Sequence, residues 1–144
     1  MQEIYYPIFY MLCLTIGVFL FSTLIRLKEI YLDKNNQVKG SEHKHPPFTN
    51  GSDLLKNAQR NLSNLFEFPI FFYVVCVCII TTNKIDSYFI TLAYSFFYFR
   101  LAHSIYHIFF NQLIIQNGLP LRAFLWVPST AILIWMWIRF LSII

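Results

Sequence analysis

The sequence predicts an all-α protein, an integral membrane four-helix bundle whose helices cross the bilayer four times. Three observations predict it. Of the 144 residues 57% are hydrophobic and 19% aromatic, and the mean hydropathy is +0.53. Only 12% are charged, about half the share usual in a soluble domain. The apolar residues also gather into four stretches, each long enough for the ~20 residues that a transmembrane helix needs.

The first stretch, Pro7 to Ile25, carries no charge and ends at Arg26-Leu27-Lys28-Glu29, which predicts a helix over about 7–27. Glu3 precedes it and no basic segment does, so it reads as a retained span rather than a cleaved signal. Residues 29–52 read as a polar loop punctuated by Asn35-Asn36, Gly40, Pro46-Pro47 and Asn50-Gly51. Ser52 fits the N-cap of a second helix over about 53–82. The tight connection Thr82-Asn83-Lys84-Ile85-Asp86 leads to a third helix over about 87–112. Asn117-Gly118-Leu119-Pro120 opens a fourth over about 119–141. Short second and third connections make these helices antiparallel neighbours, in a single domain covering residues 1–144 without internal repeats. Pro69 and Pro128 lie inside helices and each frees a carbonyl one turn back, which predicts a packing kink at both.

Charge sets orientation and excludes some functions. The net charge is +4, and seven of the eleven Lys and Arg lie between Arg26 and Arg60. That patch is too small for a nucleic-acid surface, and no nucleic-acid-binding motif accompanies it. Basic residues retained on the inner side place the first and third loops in the cytoplasm and both termini outside. Cys13, Cys76 and Cys78 fall in apolar runs and read as small packed hydrophobes. His43-Lys44-His45 reads as solvated loop.

Two polar stripes inside the apolar helices carry the functional reading. On the second helix, Arg60, Asn61, Asn64 and Glu67, at offsets of 1, 4 and 7, are expected on one face. On the third, Arg100, His103, His107 and Asn111 repeat at offsets of 3, 7 and 11. Counted from Asp86 at ~1.5 Å per residue, Arg100 lies ~21 Å and His107 ~31 Å along the helix, in the cytoplasmic half of the membrane. Arg26 and Arg122 end and begin their helices on that side. Four guanidiniums then face a single intramembrane carboxylate, Glu67. A surplus of buried positive charge asks for an anion, and arginine forks suit carboxylate or phosphate. Blander readings stay open. Arg26 and Arg122 could snorkel to the headgroups, and Arg60 could pair with Glu67. His103 and His107 lack a third metal ligand, so no metal is assigned.

At these residues the chain resembles the MAPEG superfamily, the membrane-associated proteins of eicosanoid and glutathione metabolism. The motifs are A-Q-R-N-x-x-N-L-F-E-x-P from Ala58, F-R-L-A-H-S-I-Y-H from Phe99 and L-P-L-R-A from Leu119. The resemblance is nearest to the bacterial branch, which implies an inner-membrane location. It further implies a homotrimer that binds glutathione between subunits. Carried over by position, Arg26, Arg60, Asn61 and His103 would hold the tripeptide. Arg100 and His103 match the Arg-x-x-His of the third helix, and Arg122 the arginine that stabilises the glutathione thiolate. Asn57, Asn64 and His107 depart from the usual arginine, glutamate and tyrosine. The implied function is a glutathione-dependent transferase or peroxidase acting on lipophilic electrophiles from the bilayer. The alternative is a non-catalytic membrane protein whose arginine cluster binds anionic lipid or another small anion.

Overall fold

The computed structural model describes residues 2–32, 51–111 and 121–144, the side chains of Gln2, Leu121 and Arg122 excepted. Most of the 29–52 loop with His43-Lys44-His45, the segment Asn117 to Pro120 and the Arg122 side chain lie outside the described residues. A short 3-10 turn, Gln2–Ile4, leads into α1 (Tyr5–Tyr31). The other helices are α2 (Asp53–Glu67), α3 (Pro69–Thr81), α4 (Ser87–Phe109) and α5 (Leu121–Ser142). There is no strand among the described residues.

The helix ends follow from local chemistry. The Ser52 hydroxyl accepts from the Leu55 amide at 3.2 Å and caps α2. Glu29 of α1 binds back to the Ser52 amide at 3.3 Å and to its hydroxyl, so one serine holds both sides of the loop. Substitution S52A removes the cap and the hydroxyl half of the α1 tie, leaving the backbone amide bonded to Glu29. The expected loss is about 1 kcal/mol, read as a lower midpoint of thermal unfolding in detergent; an unchanged midpoint would show that the loop ends are held elsewhere. Asn83 ends α3 with φ of 55°, a left-handed conformation that asparagine tolerates better than most residues. Its amide reaches Ile80 O at 3.1 Å and the Lys84 amide reaches Ile79 O at 3.0 Å, the paired closing bonds of a helix C-terminus. Asp86 then caps α4 through Phe89 N at 2.7 Å.

Helices α2 and α3 form one membrane-length unit interrupted only at Phe68. Pro69 cannot donate to Leu65 O, and Phe68 keeps right-handed helical angles of −78° and −41°. The chain therefore passes the proline without leaving its helical course. Three units are long and apolar enough to cross a membrane: Tyr5–Tyr31, Asp53–Thr81 and Ala123–Ser142. The remaining helix, α4, carries Arg100, His103 and His107 on its buried side, and these lower its hydropathy. It packs on α5, α2 and α1, which is where a helix with polar groups belongs in a bilayer.

The core is built of interlocked aromatics and aliphatics. Phe72 and Phe96 stack at 4.5 Å and 12° between α3 and α4, and Met11, Ile79, Phe89 and Met136 are fully buried around them. Phe9, Leu20, Phe71, Val77 and Ile138 are exposed on the outside. In lipid such exposure is neutral, and van der Waals fit rather than expulsion of water holds the helices together.

Candidate functional site

Hydrogen bonds fix the antiparallel register of α2 and α4. The Arg100 Nη2 donates to Asn64 O at 3.1 Å. One end of the pair is closed by Asn57, whose Nδ2 donates to Ile108 O at 3.4 Å and whose Oδ1 accepts from Asn111 Nδ2 at 2.7 Å. Asn57, Asn61 and Asn64, spaced by four and three, therefore face Asn111, Ile108, Ser104 and Arg100.

Arg100 is only 1% exposed. Its guanidinium lies 5.5 Å from the Phe68 ring centroid and 5.9 Å from that of Phe96. A carbonyl and two π faces thus stabilise the charge where no described carboxylate pairs with it. His103, Ser104 and His107 are also buried, and the two imidazoles stand 5.5 Å apart. No group of three His, Cys, Asp or Glu able to hold a metal occurs among the described residues.

The α2 stripe divides in two. Asn61 is 0% exposed and Asn64 half-buried, with the Asn64 carbonyl taken up in the α2–α4 pairing. Arg60 and Glu67 are exposed on the outside of the bundle. No ion pair joins Arg60 to Glu67 among the described residues. One residue is a 100° step around a helix, so Arg60 and Asn61, read together from the sequence, go to different environments. Arg26 is half-buried near the end of α1. Ser22, one turn earlier on that helix, donates to Gln59 Oε1 at 3.2 Å, so α1 flanks the Arg60 region of α2.

At the same end lies a cavity of about 470 Å³ lined by Asp53, Lys56, Asn57, Arg60 and Asn111. The sequence reading missed this polar mouth and its Asn57–Asn111 pair. The signal was present in two asparagines at opposite ends of antiparallel helices, but it takes the register to join them.

The arrangement can do two kinds of chemistry. Outward, Arg60 and Glu67 offer a guanidinium fork and a carboxylate to a ligand or a neighbouring chain. Inward, Arg100, His103 and His107 form a buried polar row. Comparison with curated proteins and with solved structures yields no match. The sequence profile of the MAPEG family matches residues 5–142. That match spans all five helices of an α-helical membrane bundle, and the chain belongs to the MAPEG family.

Proposed function

We propose that this protein is a membrane-bound glutathione-dependent transferase or peroxidase that works as a homotrimer on lipophilic electrophiles. The observation that carries the reading is the exposure of Arg60 and Glu67 on a helix of membrane-spanning length. A charge on the lipid face of a span is expensive unless protein or ligand covers it. A second copy of the chain laid over this face would cover both residues and enclose a charged site at the same time.

The residues fit the tripeptide by charge. Glutathione has two carboxylates and one ammonium, and Arg26, Arg60 and Glu67 are two guanidiniums and one carboxylate. Arginine forks bind carboxylates through two parallel hydrogen bonds. When bound, glutathione supplies a thiol whose ionised form is the nucleophile. Arg122 is assigned to hold that sulfur as thiolate, by favouring the charged form at short range. Asn61, Asn64, Arg100, His103 and His107 would back this face from inside the subunit. The first and third loops, with this end of the bundle, are assigned to the cytoplasm by their basic residues.

Purified protein with glutathione and a generic aryl halide tests the reading. Substitution R122A should lower turnover about tenfold at pH 7, because an unassisted thiol with a pKa of ~8.5 is only a few per cent ionised there. The sign follows from the ionisation: raising the pH toward 9 ionises the thiol unaided, so the defect should shrink. A defect of constant size across pH, or none, would overturn the role of Arg122. Retention of phospholipid with no thermal response to glutathione would favour the non-catalytic, anionic-lipid reading instead.

A further inference from the structure

Asn61 has both of its side-chain polar atoms, Nδ2 and Oδ1, buried with no hydrogen-bond partner. The Ser104 hydroxyl and the Arg100 Nε are buried in the same condition. The register set by Asn57–Ile108 and Asn64–Arg100 puts Asn61 opposite Ser104, between those two crosslinks. Four orphaned polar atoms therefore meet in one short stretch of the α2–α4 seam. Buried polar groups in native proteins are almost always satisfied, by protein or by ordered water. A water needs two to four polar partners, and on average about one is buried per 27 residues. Asn61 offers a donor and an acceptor, Ser104 offers both, and Arg100 offers a donor.

The seam also leads somewhere. Asn57 and Asn111 close it with one amide–amide hydrogen bond, and those two residues line the polar cavity at the bundle end. Along α4 the row continues as Arg100, His103, Ser104, His107 and Asn111, all buried except the half-buried Asn111. We propose that the α2–α4 seam holds a file of water, opening through the Asn57–Asn111 pair into the bundle-end cavity, along which His103 and His107 exchange protons with the aqueous phase. A ring takes a proton on one nitrogen and gives one from the other, so it is neutral before and after each transfer. Charged groups near the file are Arg100 on α4, Asp53, Lys56 and Arg60 on α2 at the mouth, and Arg26 on α1.

Such a file would give a thiol ionising within the membrane somewhere to send its proton. That use rests on the glutathione reading; the hydration of the seam does not.

Radiolytic hydroxyl-radical footprinting of the full-length protein in lipid nanodiscs, read by mass spectrometry after rapid mixing with ¹⁸O-labelled water, tests the proposal without any substrate. His103 and His107 should gain oxygen, with ¹⁸O in it, while the equally buried Phe72 and Met136 stay at background. Background labelling at both histidines means a dry seam and overturns the proposal. Labelling that carries only the original ¹⁶O means a trapped, unconnected water and overturns it as well. Substitution N61L should cut histidine labelling about tenfold by displacing the water, and S104A serves if N61L does not fold. Labelling unaffected by either change would also overturn it. Because no glutathione is present, a failure here leaves the catalytic reading untouched, and loss of glutathione turnover leaves this result standing.

Discussion

Substitution R100A is expected to destabilise the protein by about 3 kcal/mol, while R100M stays within about 1 kcal/mol of the native chain. The contrast follows from what surrounds the side chain. Arg100 is the largest of the fully buried side chains among the described residues. It bridges α4 to Asn64 O on α2 and fills the space between the Phe68 and Phe96 rings. Alanine removes the bridge and leaves a void beside Pro69, where the helix already lacks a backbone bond. Methionine restores the volume and strands no described carboxylate, since none pairs with Arg100. R100K separates the remaining contribution: it keeps the charge but loses the planar fork and its stacking on two rings. Its loss should approach that of alanine. Thermal unfolding of the three variants in one detergent checks the order. If methionine is as damaging as alanine, the charge rather than the volume holds the seam, and the packing account fails.

The fold was legible because a bilayer enforces it. Four apolar stretches separated by polar breaks admit little except helices, and Ser52 and Pro69 announce their local roles from residue type alone. The α4 stripe was also legible, because Arg100, His103 and His107 recur at a helical period and the structure buries all three on one side. The α2 stripe was only half legible. Arg60, Asn61 and Glu67 can be grouped within a broad arc of a helical wheel, but packing against α4 divides that arc sharply. Asn61 is enclosed and its neighbours at 60 and 67 are left outside. Ser104 escaped notice because a serine inside an apolar helix carries no signal by itself. It matters only opposite Asn61, and that pairing depends on the register between helices. Arg139 belongs to neither polar stripe, and its partner becomes visible only when α5 is laid against α4.

That partner makes the second large prediction, at the far end of the bundle from the arginine cluster. Asp86 does two things at once. One carboxylate oxygen caps α4 through Phe89 N at 2.7 Å, and the other pairs with Arg139 near the end of α5. The Arg139 guanidinium lies 4.8 Å from the Tyr88 ring centroid and 4.7 Å from that of Phe89. The Tyr88 hydroxyl in turn accepts from Trp135 Nε1 at 3.0 Å. Substitution D86A removes a cap of about 1 kcal/mol together with an ion pair of up to about 1 kcal/mol at this half-exposed position. The expected total loss is about 2 kcal/mol. D86N distinguishes the two parts, because asparagine caps a helix nearly as well as aspartate while carrying no charge. It should retain about half of the stability that alanine loses. A double-mutant cycle of D86A with R139M isolates the pair, and a coupling of about 1 kcal/mol is expected. Zero coupling would mean that Arg139 is held by its two rings alone. In a bundle with no water to drive helices together, a capped and paired aspartate is a direct way to fix where α5 ends against α4. Weakening it should loosen that pairing first, and leave the Asn57–Asn111 end of the seam in place.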